Sequence, residues 1–121
     1  MSIGARNYRA GRRYPVRAGT VYLVCFRNTD GSKAWVGHAG HYVGWTRYLS
    51  KRRVRHEAGH GAHLTSVAVS LGLVLELART MPGSKNDEYR VKWLGGQTRY
   101  CPLCSSSPRA WPGAALARTR R

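Results

Sequence analysis

Acidic side chains are scarce in this chain: five Asp plus Glu stand against 21 Lys plus Arg in 121 residues, a formal charge of +16. An excess of that size goes beyond what solubility requires and implies a polyanionic partner, DNA first and RNA not excluded. Cysteine is sparser still, with three residues, which argues against a fold built on disulfides. The arginine-rich start shows no apolar stretch of the secretory kind, so an intracellular, reducing setting, cytoplasmic or nucleoid-associated, is the expectation. Long hydrophobic runs are missing too. The best of them, from Val67 to Ala78, contains Glu76 and falls short of the roughly 20 residues a membrane helix needs, so no membrane span is expected.

What is present sorts into three stretches. Residues 1–18 carry Arg6, Arg9, Arg12, Arg13 and Arg17 without hydrophobic periodicity and read as a flexible basic arm. Residues 105–121 open on three serines and a proline and hold Arg109, Arg118, Arg120 and Arg121, the composition of a disordered basic tail. Between them, residues 19–104 form one small domain that keeps 12 basic and five acidic residues.

Within that domain Thr20 to Phe26 is β-branched and aromatic, bounded by Gly19 and the turn-forming Asn28-Thr29-Asp30-Gly31, which predicts a strand. A second strand is expected over His41 to Trp45, with Trp35 and Val36 as a further piece of it, and the connection between the two favours an antiparallel hairpin. Thr46 to Ala58 reads as a helix capped by Thr46, faced by Leu49 and Val54 and stopped by Gly59. A second helix follows from about Leu64 to Leu71, a third strand from Leu73 to Ala78, and a third helix capped by Asn86 that reaches Leu94. The order β-β-α-α-β-α predicts an α+β fold, a small three-stranded antiparallel or mixed sheet flanked by helices.

The chain is organised around residues 42–56, where a strand expected to turn at Gly44 feeds a basic helix and gathers a phenol, several guanidiniums and an imidazole. With Tyr22 and Glu88 this is the chemistry of a site that grips and cuts a phosphodiester. Arg52 suits the role of donating two planar hydrogen bonds to phosphoryl oxygens. The few carboxylates narrow the metal ligand: Asp30 falls in a turn, Glu57 at a helix end and Glu76 in a strand, which leaves Asp87 and Glu88. A phenol of Tyr22 or Tyr42, its proton loosened by the arginines, would position or deprotonate the attacking water, and His56 is the other candidate base. Lys51, Arg53, Arg55 and Lys92 add charge for backbone phosphates. Each residue also has a plainer reading: strand aromatics for the two tyrosines, a solvated helix face for Arg52, a first-turn acid for Glu88.

Thr20-Val21-Tyr22, then Tyr42-Val43-Gly44, then Arg52 ten residues on and His56 four beyond it, in an order that resembles the GIY-YIG nuclease family. Thr20-Val21 stands where that family has Gly-Ile, and Gln97 lies nearest the place where many members keep an asparagine. The resemblance covers residues 19–104 and implies an endonuclease that hydrolyses DNA with Mg2+ or Mn2+. Tyr22, Tyr42, Arg52 and His56 would be its catalytic residues, Glu88 its metal ligand, and His63 a further family histidine on the nucleic-acid side. A non-catalytic nucleic-acid-binding protein of the same fold is the alternative.

Two other motifs share the chain. His56-Glu57-Ala58-Gly59-His60 matches the zinc-protease pattern in which two histidines one helical turn apart bind Zn2+, but Gly59 and Gly61 are expected to end the helix before His60. Cys101-Pro102-Leu103-Cys104 is half of a zinc site, with Cys25 in a buried strand and His60 or His63 as conceivable completions. His38, His41 and His60 read as surface or loop residues.

Overall fold

The computed structural model describes residues 19–95 and 97–110. The expected basic arm, and the expected tail from residue 111 onward, lie outside the described residues. In chain order the elements are β1 (Thr20–Arg27), β2 (His41–Thr46), α1 (Leu49–Glu57), α2 (His63–Ser70), β3 (Val74–Pro82) and α3 (Lys85–Leu94), followed by a 3₁₀ turn over Gln97–Tyr100. The fold is α+β, as the residue pattern implied. The sheet is antiparallel throughout, in the order β2-β1-β3, with Tyr22 opposite Gly44 and Cys25 opposite His41.

Strand β1 runs down the middle, which explains why it is apolar at consecutive positions: both of its faces are covered. Val21, Leu23 and Cys25 point to one side, where Val43, Met81, Val91, Tyr100 and Cys101 close over them. Tyr22, Val24 and Phe26 point to the other, against Ala34, Ala68, Leu49 and Leu64. Each large apolar side chain taken fully out of water contributes about 1.5–3 kcal/mol, so this central strand carries much of the stability. Helices α1 and α2 cover the tyrosine face. Helix α3 and the C-terminal turn cover the cysteine face, with α3 packed chiefly on the edge strand β2.

Several local expectations are corrected. Strand β2 does not turn at Gly44; it stays paired with β1 through Thr46, and the glycine serves a close approach instead. A Cβ there would run into the hydroxyl and Cζ of Tyr22 and sit 2.9 Å from Cε2 of Tyr42. Trp35 and Val36 are not part of β2, because Val36 closes a small bridge with Ala39. Thr46 does not cap α1: the cap position is Tyr48, and the Thr46 hydroxyl accepts the Tyr48 N–H at 3.1 Å in a turn before the helix. Val54 is exposed, and the residue that α1 buries is His56. Helix α3 is capped two residues earlier than Asn86 suggested, since Ser84 and Asp87 form a reciprocal capping box with the Ser84 N–H donating to Asp87 at 2.8 Å. Strand β3 runs on to Pro82. Within residues 105–110, Arg109 donates its N–H to the Arg99 carbonyl at 2.7 Å and accepts from Arg79 at 2.6 Å. No helix among the described residues is long and apolar enough to cross a membrane.

Candidate functional site

Strand β1 aims Tyr22 at the buried side of α1, and α1 returns His56 and Arg52 to it. The Tyr22 hydroxyl lies 2.8 Å from His56 Nε2, and Arg52 Nε donates to the same oxygen at 3.4 Å. His56 Nδ1 lies 2.8 Å from the Thr65 hydroxyl, which donates its own hydrogen to the Ala62 carbonyl at 2.9 Å. A carbonyl can only accept, so Thr65 must accept from His56, and the tautomer follows: Nδ1 carries the proton and Nε2 presents a lone pair to the Tyr22 O–H. Gly61 makes room for this ring, because a Cβ there would collide with Nδ1.

Tyr42 joins from β2, its ring centroid 6.2 Å from Tyr22 and 5.5 Å from His56, and its phenol also meets the Arg52 guanidinium. Glu88 arrives from α3, largely buried, with Lys92 on its carboxylate at 2.6 Å and Lys85 at 3.7 Å. Lys92 Nζ simultaneously sits 5.6 Å over the Tyr42 ring, and the charge of Glu88 is felt at Tyr22. The α3 cap that places this carboxylate is fixed to β2 by Trp45, whose indole N–H donates to the Gly83 carbonyl at 2.9 Å. Two phenols, an imidazole, a guanidinium and a carboxylate therefore converge from β1, β2, α1 and α3.

Burial decides the proton affinities. It pushes the Tyr22 phenol up to about 12, against the smaller opposing effect of Arg52, so the arginines do not loosen this proton as expected. Burial, helped by the charges of Arg52 and Arg55, pulls His56 down to about 4 and keeps the ring neutral. Arg52 is raised, first by its hydrogen bond to Tyr22, and stays charged.

No family model matches the chain, and no curated protein or solved structure matches it either.

The remaining basic candidates stay at the surface. Lys51, Arg53, Arg55 and His63 are exposed; Arg53 pairs with Glu57 at 3.6 Å and Arg55 donates to the His60 carbonyl at 3.1 Å. Arg47 and Lys51 flank the exposed Tyr48 ring at 5.7 and 5.4 Å, which adds an aromatic to the basic face. The zinc-protease pattern is not assembled. Helix α1 ends at Glu57, Glu57 faces Arg53, and both ring nitrogens of His56 are engaged.

Cys101 and Cys104 meet neither His60 nor His63. They meet Cys25 and His41, and the four donor atoms lie within 4.8 Å of one another. His41 is buried rather than at the surface. Burial pulls its imidazole down to about 4, and burial together with the neighbouring thiols pushes Cys104 up to about 12. The missed signal was the hairpin register: once Tyr22 opposes Gly44, Cys25 must oppose His41.

Proposed function

We propose that this chain is a divalent-metal-dependent endonuclease of the GIY-YIG type, hydrolysing phosphodiester bonds in DNA. The observation that carries the reading is the hydrogen-bonded cluster of Tyr22, His56 and Arg52 with Tyr42 against it and the Glu88 carboxylate at its border.

In this reading water attacks phosphorus in line and the bond to the leaving oxygen breaks. With the phenol at about 12 and the imidazole at about 4, no standing phenolate forms. The proton moves only as the water becomes acidic on bonding to phosphorus: water gives it to the Tyr22 oxygen while the Tyr22 hydrogen passes to His56 Nε2. Thr65 holds the tautomer that makes this direction possible. Arg52 supports the oxygen of Tyr22 and, with five N–H donors in a planar fork, meets the charge that builds on the phosphoryl group. A Mg2+ or Mn2+ ion supplies Lewis-acid stabilisation of the leaving oxygen when bound. Glu88 fits such an ion, being a buried acid whose Lys92 partner reaches the Tyr42 ring, and one carboxylate suits a cation that keeps most of its waters. Lys92 has to leave that carboxylate, and an incoming phosphate gives its ammonium another partner. Lys51, Arg53, Arg55, Lys92 and His63 are the candidates to hold the DNA backbone without reading bases.

One observation favours a second reading, a nucleic-acid-binding domain without activity: the Glu88 carboxylate is already neutralised by two lysines. Plasmid incubated with the protein and Mg2+ or Mn2+, with an EDTA control, separates the two. As a nuclease the protein nicks or linearises DNA only with the metal, and Arg52→Ala and Glu88→Ala abolish cutting while Glu88→Ala still binds. Binding with no cutting by the wild type establishes the second reading.

A further inference from the structure

Behind the tyrosine face, on the opposite side of the sheet, three sulfurs and one imidazole nitrogen converge from three separate segments. Cys25 and His41 are directly opposite on β1 and β2, so their side chains leave the hairpin on the same side. Cys101 and Cys104 come from the turn after the 3₁₀ segment, where the N–H groups of Cys104 and Ser105 both donate to the Cys101 carbonyl, at 3.2 and 3.0 Å. That tight turn brings both sulfurs to one point. We propose that Cys25, His41, Cys101 and Cys104 hold one structural zinc ion that pins the C-terminal turn to the β1–β2 hairpin.

Size and donor type carry the assignment. A tetrahedral Zn2+ with Zn–S of about 2.3 Å and Zn–N of about 2.0–2.1 Å requires sulfurs about 3.8 Å apart and sulfur–nitrogen distances of about 3.5 Å. Cys25 and Cys104 Sγ are 3.7 Å apart, and Cys104 Sγ is 3.5 Å from His41 Nε2. Three thiolates and an imidazole form the soft donor set that zinc takes and that Mg2+ or Ca2+ does not. The three cysteines are free thiols, and each loses its proton to solvent as it ligates, leaving the centre with one net negative charge. Lys33 Nζ at 3.3 Å and Arg27 Nη1 at 3.8 Å from Cys25 Sγ are placed to offset that charge. A short domain whose hydrophobic core is split between two faces of a three-stranded sheet gains most from such a staple. This centre is separate from the Glu88 site and does not depend on the nuclease reading.

The test is metal content. Protein purified from zinc-supplemented cells without chelator is expected to contain one zinc per chain by elemental mass spectrometry, whether or not it cuts DNA. Thiol titration with a mercurial is expected to release that zinc. Replacement by Co2+ is expected to give the intense visible bands and sulfur charge-transfer absorption of a tetrahedral thiolate site. Glu88→Ala is expected to keep its zinc and Cys104→Ala to lose it. His41→Cys, which preserves a four-donor set, is expected to retain one zinc with a shifted cobalt spectrum, so a folding failure of Cys104→Ala leaves the test intact. Protein without metal and without a cobalt spectrum overturns the proposal. So does an intact mass two hydrogens lighter, the mark of a disulfide, or zinc that survives in folded Cys104→Ala.

Discussion

Acidification is expected to expose the cost of keeping His56 neutral. Its ring is buried between Tyr22 and Thr65 with Arg52 and Arg55 near it, and takes a proton at about 4 in the fold against about 6.5 in the unfolded chain. Between those values the unfolded state binds the extra proton, so stability is fully present above pH 6.5, falls as pH drops, and stops falling on this account below about pH 4. At about 1.4 kcal/mol per unit, the window from 6.5 to about 4 amounts to about 3.5 kcal/mol as an upper bound. For a domain of this size that is a drop in Tm of more than about 10 °C. The assay is urea or thermal unfolding followed by tryptophan fluorescence at pH steps from 7.5 to 4, comparing the wild type with His56→Gln. Other titrating groups are common to both proteins, so the difference between the two curves isolates His56. The variant is expected to be less stable at pH 7 and to lose less on acidification. Parallel curves, or a variant that loses more than the wild type, would refute the buried neutral imidazole and with it the tautomer that aims Nε2 at Tyr22.

Three further outcomes follow from particular contacts. Gly44→Ala forces a methyl against Tyr22 and Tyr42 and is expected to cost about 1–3 kcal/mol in chemical denaturation, with a loss of cleavage larger than that destabilisation accounts for. Lys92→Met removes both the 2.6 Å partner of Glu88 and the cation over Tyr42; because Lys92 is about half exposed, about 1 kcal/mol of stability is expected to go, readable as a shift in the urea midpoint. Contacts from Lys51, Arg53, Arg55 and Lys92 to four phosphates give a slope of log affinity against log salt of about −3.6, and a fluorescence-anisotropy titration with a slope near zero would remove these residues from the interface.

The central strand was legible in the residues because β1 is apolar on both faces and bounded by turn formers, and those two signals agree. The same holds for the β-β-α-α-β-α order. The helix faces were less legible. Val54 fits an apolar pattern yet is exposed, while His56, a polar residue, occupies the buried position because Tyr22 and Thr65 satisfy both its nitrogens. Propensity cannot anticipate a polar residue whose partners come from 34 and nine residues away. The proton affinity of Tyr22 is not legible in the residues for a related reason: counting nearby arginines captures charge but not burial, and burial is the larger effect here. Cys101 and Cys104 announced themselves by spacing. Cys25 and His41 did not, since their meeting depends on strand register, a property of the folded hairpin.

The most direct measurement is single-turnover cleavage of a labelled DNA duplex in Mg2+ by the wild type and by Tyr22→Phe. The substitution removes one oxygen from a buried ring and leaves the packing of β1 in place. The expected rate is about 10²–10⁴-fold lower, the range of a lost general acid–base group, with the fold retained at a stability lowered by about 1–3 kcal/mol because His56 Nε2 loses its partner, and with DNA affinity unchanged. An undiminished rate in Tyr22→Phe, or cutting that continues in EDTA, would contradict it.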